Sequence, residues 1–203
     1  MRYDEQVKNI MGGNIIGPDE INNMSPLLYK KVREIPEIPY NKEELLLKRN
    51  EYILILGVSH FADGSPVTIR NYKRIFGINP ELSEPCMYNQ DWYEQENFID
   101  EGMQEKWFLI RKEVFEGSRA IMPQVLEKQY VFPKAITCTF AFFTAWKVLG
   151  LKLWWHDYVW CDNFDHNGDR IYVGKYHDVD GINKNGFSVH RHLEIRSCYG
   201  CID

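Results

Sequence analysis

The side chains best suited to chemistry lie in the C-terminal third of the chain, where histidine is twice followed by aspartate. The two pairs are His156-Asp157 and His177-Asp178, and both lie in segments of strand character. Two carboxylates held close together suit general acid–base work, because their repulsion raises one of the two pKa values. Histidine and aspartate are also common ligands of catalytic metal ions. These four residues are therefore the predicted catalytic groups if the protein is a metal-dependent hydrolase.

A second set of candidate ligands follows near the end of the sequence. His190 and His192 share one face of a predicted strand, and Cys198 and Cys201 form a C-x-x-C motif. Imidazole and thiolate are the ligands that structural zinc sites use, and Gly200 inside the motif suits a tight turn. The sequence thus offers a set of ligands for zinc. The alternative is that the histidines are the polar side of the strand and that the cysteines pack without a metal.

A hairpin is predicted to bring the His-Asp pairs together. Asn167-Gly168 is the strongest short turn signal in the chain, and it separates residues 151–164 from residues 170–179. A two-residue loop at this point places Asp165 opposite Arg170, a charge pair that would fix the register of the two strands.

The same register places Asp157 opposite Asp178 and His177 opposite Tyr158. Like charges that face each other across a sheet are destabilising. The pairing of Asp157 with Asp178 therefore requires a bound cation or a shared proton. Otherwise the two strands pair in a different register.

Aromatic side chains alternate along the first strand of this hairpin. Trp154, Tyr158 and Trp160 are predicted to share one face with His156 and His177. Aromatic rings on a sheet face stack well on planar or sugar-like ligands. This pattern favours a domain that binds a small molecule or a protein partner, and the metal-dependent hydrolase is the alternative. The tryptophans also have a purely structural interpretation, which is that they cover a buried helix.

Periodicity indicates which elements position these residues. Residues 134–149 are apolar nearly all round, begin after Pro133 and end at Gly150, which predicts a helix at the centre of the core. Residues 187–196 alternate between apolar and polar side chains, which predicts a half-buried strand. Together with the hairpin, this strand makes an antiparallel meander packed on the buried central helix. The predicted fold class is α+β.

Further short helices and strands are predicted in the N-terminal half. Asn41 suits the cap of a short helix, residues 52–58 form an apolar run of strand length, and Ser65-Pro66 suits the start of another helix. Residues 1–40 are rich in glycine, proline and asparagine and are predicted to be an irregular arm packed on the domain. Residues 41–203 are predicted to be one α+β domain.

Ser59-His60 directly follows the strand predicted at residues 52–58, and catalytic side chains often lie at such strand ends. Adjacent residues of an extended chain point in opposite directions. We therefore expect that these two residues do not form a catalytic dyad on their own.

Composition restricts the class of protein. The 203 residues carry a net charge of -5, which argues against a nucleic-acid partner, because such proteins present a basic face. The number of cysteines is odd, and the first residues lack the apolar run of a signal peptide, so reduced thiols and a cytoplasmic location are expected. Residues 135–155 are long enough to span a bilayer, but Gly150 interrupts them, so we expect a buried helix and no membrane span.

Overall fold

The core is built from two β-sheets and one long helix. The structure is a computed structural model, and it describes residues 1–24, 27–175, 185–191 and 195–202. The helices are α1 (Glu5–Met11), α2 (Pro18–Asn22), α3 (Lys42–Lys48), α4 (Ile69–Phe76), α5 (Pro123–Leu126) and α6 (Ala135–Leu149), with 3₁₀ turns at Asn97–Asp100 and Glu116–Ser118. The strands are β1 (Ile15–Ile16), β2 (Tyr52–Leu56), β3 (Trp107–Arg111), β4 (Tyr158–Phe164), β5 (Arg170–Gly174), β6 (Ser188–His190) and β7 (Tyr199–Gly200).

The described strands form a three-stranded and a four-stranded sheet. In the first sheet the order is β1-β2-β3, with β1 parallel and β3 antiparallel to β2. In the second the order is β6-β5-β4-β7, where β4, β5 and β6 are antiparallel neighbours and β7 runs parallel to β4. The α+β class and the antiparallel meander are therefore confirmed.

Helix α6 is the buried central helix that the sequence predicts. Its residues 135–145 are all buried, and it ends where Gly150 adopts a left-handed conformation at φ 66°. No side chain of the preceding residues caps its first turn. Instead, the backbone N–H of Ala135 donates a 2.8 Å hydrogen bond to the side-chain oxygen of Asn163 on β4. A strand of the meander thus caps the helix on which the meander packs.

The N-terminal segment is more regular than the predicted arm. Residues 1–24 contain two helices and the edge strand β1, which pairs with β2. The side chains of Val7, Ile16 and Ile21 are fully buried in the main core. The segment therefore packs on the rest of the chain, while the proposed boundary at residue 40 stays a prediction.

Side-chain caps determine where two N-terminal helices begin. Asn41 accepts a 2.9 Å hydrogen bond from a backbone N–H in the first turn of α3, as predicted. Helix α4 begins later than predicted, because Thr68 caps it through a 3.2 Å hydrogen bond from the N–H of Asn71. Ser65 lies before the helix, where its hydroxyl donates to Asp63.

The hairpin turn at Asn167-Gly168 forms, but with a longer loop than predicted. The N–H of Asp165 donates a 3.0 Å hydrogen bond to the carbonyl of Asp169, and Gly168 lies in the left-handed region at φ 85°. These features are typical of a three-residue hairpin loop with a glycine bulge. Arg170 therefore faces Phe164. The predicted pairing of Arg170 with Asp165 is wrong.

A register shift between Trp160 and Phe164 moves the pairing further from the prediction. Tyr158 faces Gly174 across the hairpin. The predicted pairing of Tyr158 with His177 is therefore wrong. His177 itself lies outside the described residues.

The first strand of the hairpin begins at Tyr158 rather than at Leu151. The reason is local, because Trp154 and His156 adopt positive φ angles of 48° and 71°. These angles belong to the left-handed region and cannot occur in an extended strand. Residues 151–157 are consequently turns and isolated pairings, so Trp154 and His156 do not join the alternating face of β4.

The described residues near the end of the chain add a short strand to the second sheet. Tyr199 and Gly200, inside the C-x-x-C motif, form strand β7 beside β4. Residues 192–194, with His192 among them, lie outside the described residues. Across the residues that are described, none of the helices combines the length and the apolar character needed to cross a membrane.

Candidate functional site

Five rings meet on one face of the four-stranded sheet, and we call them the aromatic cluster: Tyr158 and Trp160 on β4, Tyr172 on β5, His190 on β6 and Tyr199 on β7. Tyr172 is at the centre, with ring centroids 5.6 Å from Tyr158, 5.0 Å from Trp160 and 4.8 Å from Tyr199. The imidazole of His190 stacks on Tyr172 at 5.5 Å, with 21° between the planes. Rings at such distances contribute roughly 0.5–1.5 kcal/mol per pair beyond their buried area.

Strand alternation explains why these rings share a face. Val159 and Cys161 on β4 and Ile171 and Val173 on β5 point the other way and are fully buried in the core around α6. Because successive side chains of a strand point to opposite faces, the intervening aromatic residues must lie on the outer face. The sheet therefore separates an apolar core from the aromatic cluster.

A cavity of about 430 Å³ lies over the aromatic cluster. Its lining includes Tyr158, Tyr172, Tyr199 and His190 of the cluster, together with Ser188 and Arg196. Small-molecule sites typically have volumes of about 300–1,000 Å³, with apolar walls and a few polar groups. The size and lining of this cavity fit that description.

Two polar atoms of the cluster are buried without a hydrogen-bond partner among the described residues. They are the hydroxyl oxygen of Tyr172 and the indole nitrogen Nε1 of Trp160. A buried donor without a partner costs about 1–3 kcal/mol, so most such groups in folded proteins are paired. Burial also raises the pKa of Tyr172 well above its ordinary value, so its hydroxyl stays protonated and can donate.

Burial lowers the pKa of one residue of the aromatic cluster, His190. Burial disfavours the charged imidazolium and lowers the pKa of His190 from 6.5 to about 4. The side-chain nitrogen Nε2 of Gln90 lies 3.5 Å from its Nδ1. At neutral pH the imidazole is therefore uncharged and behaves as another planar ring of the cluster.

The structure brings together two of the three predicted ligand-binding residues, Tyr158 and Trp160. Trp154 lies elsewhere, because it is fully buried and its indole N–H donates a 2.9 Å hydrogen bond to the carbonyl of Arg111. His156 is exposed and its ring lies against Trp155, not against the cluster.

Of the four predicted catalytic residues, only His156 and Asp157 lie among the described residues. The carboxylate of Asp157 accepts two hydrogen bonds from the guanidinium of Arg119, at 2.6 and 2.9 Å. This ion pair neutralises Asp157 without a metal or a shared proton. His177 and Asp178 lie outside the described residues, so their predicted role with Asp157 stays a prediction.

Three of the four predicted zinc ligands, His190, Cys198 and Cys201, lie among the described residues. Cys201 is fully buried beneath the aromatic cluster, and Cys198 is half-buried with its pKa raised by burial. Within the described part of the chain, His190, Cys198 and Cys201 do not form a group with ligand atoms within 4.8 Å of one another. His192, the fourth predicted ligand, lies outside that part.

A different acidic group was missed by sequence reasoning. Glu96, Asp165 and His166 place ligand atoms within 4.8 Å of one another. The guanidinium of Arg191 lies 2.6 Å from the Asp165 carboxylate and 3.6 Å from that of Glu96, and so offsets one of the two negative charges. Glu96 is 70 residues from His166 in the chain, and no local sequence pattern links them.

The side chains of Ser59 and His60 contact each other, which the sequence did not lead us to expect. The chain bends at Ser59 beyond the end of β2, so the rule for extended chains fails and Ser59 Oγ lies 2.7 Å from His60 Nδ1. The Ser59 hydroxyl also donates to the carboxylate of Glu105. Glu105 lies close to Ser59 because Trp107 at the start of β3 pairs with Leu56 at the end of β2. A correct prediction of that strand pair would have revealed the contact.

Comparison of the chain with models of protein families, with curated proteins and with solved structures finds no match.

Proposed function

We propose that the protein binds a small planar ligand in the cavity over the aromatic cluster. The observation that carries this proposal is Tyr172, a residue of the cavity lining whose buried hydroxyl makes no hydrogen bond of normal geometry to a described residue, although the Tyr199 hydroxyl lies near it. A ligand that accepts a hydrogen bond from this hydroxyl would remove the cost of leaving it unpaired. The surrounding rings of Tyr158, Tyr199 and His190 would stack on a planar group.

The charges around the cavity suggest an acidic substituent on the ligand. Arg196 lines the cavity, and no carboxylate among the described residues pairs with it. His190 is uncharged at neutral pH because burial lowers its pKa to about 4. An aromatic carboxylate therefore suits both the planar surface and the guanidinium, which binds carboxylates well.

The test is a binding measurement with a defined panel, for example 4-hydroxybenzoate and indole-3-carboxylate, by isothermal titration calorimetry and saturation-transfer NMR. Tyr172→Phe removes only the hydroxyl, and we expect the dissociation constant to rise about tenfold, the worth of one hydrogen bond to a charged group. Tyr93→Phe is the matched control, because the Tyr93 hydroxyl is also buried without a partner but lies outside this cavity.

Two results would overturn the proposal. One is the absence of binding by every member of the panel at millimolar concentration. The other is an equal loss of affinity in Tyr172→Phe and Tyr93→Phe, which would indicate a general effect on the fold.

The proposal includes a cytoplasmic location and a small-molecule partner rather than nucleic acid. It is supported by the lack of disulfide bonds among the cysteines of the described residues and by the net charge of -5. Fractionation of cells that express the tagged protein, with thiol labelling before lysis, tests it. Recovery of the protein in an oxidised form outside the cytoplasm would contradict it.

A further inference from the structure

A second cavity, of about 290 Å³, lies at the end of β2 in the three-stranded sheet. Ser59, His60 and Glu105 line it together with the end of β2. It shares no described lining residue with the cavity over the aromatic cluster. Any activity here is therefore separate from the ligand binding proposed above.

The hydrogen bonds of Ser59 define the state of its hydroxyl. The hydroxyl has a single proton, which it donates to the carboxylate of Glu105. The 2.7 Å contact with His60 Nδ1 must then be a bond in which the imidazole N–H donates to Ser59 Oγ. One lone pair of Oγ remains, and it is available for attack on an electrophile.

This arrangement has the parts of an activated nucleophile. A serine hydroxyl becomes nucleophilic when an adjacent base removes its proton, and Glu105 is in direct contact as that base. His60 acts as a positioning residue, because its N–H holds Oγ in the orientation that directs the hydroxyl proton to Glu105. Glu105 is exposed and Ser59 is half-buried, so a substrate can reach both.

Basic side chains around the same cavity indicate the charge of its substrate. Lys30, Lys31 and Arg33 line the cavity and are exposed. No carboxylate in the described part of the chain forms an ion pair with any of the three. Glu34 is the other acidic residue of the lining besides Glu105, so the cations outnumber the acids. An anionic substrate is therefore attracted to this cavity.

We propose that Ser59 is the nucleophile of a site that hydrolyses small esters carrying a negative charge. Ser59 Oγ forms a bond to the acyl carbon, its proton passes to Glu105, and the ester C–O bond breaks as the alcohol leaves and takes that proton. A water molecule then attacks the acyl carbon and gives a proton to Glu105. The bond to Oγ breaks, Oγ regains the proton, and the acid is released as a carboxylate and a solvated proton.

The test uses two activated acetate esters, 4-acetoxy-3-nitrobenzoate as the anionic probe and 2-nitrophenyl acetate as the neutral one, because a para carboxylate cannot reach the ester carbonyl. We expect the protein to accelerate hydrolysis of the anionic ester more than that of the neutral one, above the rate in buffer alone, and, after a rapid acid quench, an acetyl group on Ser59 in peptide mass mapping. Ser59→Ala removes both the hydrolysis and the adduct. Glu105→Gln lowers kcat about 100-fold, which is a typical contribution of a general base.

Ser65→Ala is the matched control, because Ser65 also donates its hydroxyl to a carboxylate, that of Asp63, but lies outside this cavity. It should leave the rate unchanged. Ser59→Cys keeps a nucleophile at the same position and should form a thioester, even if Ser59→Ala proves poorly folded. His60→Gln should lower kcat and leave KM unchanged.

The cationic residues have their own test. Replacing Lys30, Lys31 and Arg33 together by glutamine should raise KM for the anionic ester about tenfold more than KM for the neutral ester, so that the preference for the negative charge is lost. The proposal is overturned if a folded Ser59→Ala keeps the wild-type rate. It is also overturned if the acyl group maps to the lysines rather than to Ser59, since that result shows only the reactivity of the esters with surface amines.

Discussion

The imidazole of His190 on β6 stacks on the ring of Tyr172 on β5, with centroids 5.5 Å apart and planes inclined by 21°. The two residues are paired across antiparallel strands, so the register of the sheet itself aligns the rings. Tyr158 contacts the same imidazole at 5.4 Å. His190 thus lies among rings that shield it from water, and this desolvation disfavours its protonated, charged form.

The first prediction concerns pH. The pKa of His190 falls from 6.5 to about 4 in the folded protein, so the folded state binds fewer protons than the unfolded state between these values. The stabilisation is fully present above the unfolded pKa and is lost as pH falls through the folded pKa. We expect a loss of about 2–3 kcal/mol between roughly pH 7 and pH 4 from this residue. His190→Phe keeps a ring but cannot titrate.

Urea unfolding followed by circular dichroism measures this contribution. The difference in unfolding free energy between the wild type and His190→Phe isolates His190, because the carboxylates titrate in both proteins. Parallel pH dependences of the two proteins would show that the imidazole is not desolvated in the folded state.

The second prediction concerns the pair of Arg119 and Asp157. Their side chains are only 25% and 14% exposed, and two hydrogen bonds join them. Removal of one partner leaves a largely buried charge, so Asp157→Asn should lower the unfolding free energy by about 2–4 kcal/mol. Asp162→Asn is the control, because Asp162 is 53% exposed in its ion pair with Lys134 and should lose less than about 1 kcal/mol.

A double-mutant cycle with Arg119→Gln measures the coupling energy of this pair. If Asp157→Asn leaves the unfolding free energy unaltered, the ion pair of Arg119 and Asp157 does not stabilise the fold. Asp157 would then be available for the chemistry that the sequence first suggested.

Local signals in the sequence predict the central elements well. The apolar run that ends at Gly150 predicts α6, and the turn signal at Asn167-Gly168 predicts the hairpin, because in both cases neighbouring residues determine the backbone. The alternation around His190 predicts β6 for the same reason. The aromatic cluster follows in part, since Tyr158 and Trp160 are two positions apart on one strand.

Two kinds of feature could not be predicted from the sequence. They are unusual backbone conformations and contacts between residues that are far apart in the chain. Trp154 and His156 adopt positive φ angles, which non-glycine residues seldom do, so the predicted strand began too early. The contact of Ser59 with Glu105 joins residues 46 positions apart and depends on the pairing of β2 with β3. No periodicity within one segment contains that information.

The third prediction concerns the cap that links the sheet to the central helix. Asn163 on β4 accepts a hydrogen bond from the N–H of Ala135 at 2.8 Å, and its side-chain amide donates to Glu101 at 3.0 Å. Asn163→Ala leaves a buried N–H at the start of α6 without a partner, so we expect a loss of about 1–2 kcal/mol. Thermal unfolding measures it. Asn71→Ala in α4 serves as the control, because the half-buried Asn71 side chain also makes two hydrogen bonds but caps no helix. An equal effect of both changes would contradict the capping role of Asn163.

The last prediction concerns metal ions. Glu96 and Asp165 lie close together, but the guanidinium of Arg191 is already within 2.6 Å of one carboxylate and 3.6 Å of the other. A divalent cation has to displace this guanidinium, which costs both ion pairs. We therefore expect EDTA, Zn²⁺ or Mn²⁺ to shift the melting temperature by less than about 1 °C, because a ligand stabilises a protein only in proportion to its binding. A larger rise with Zn²⁺ that persists in Glu96→Gln would place the ion elsewhere, and the predicted ligands His190, His192, Cys198 and Cys201 would be the first to substitute.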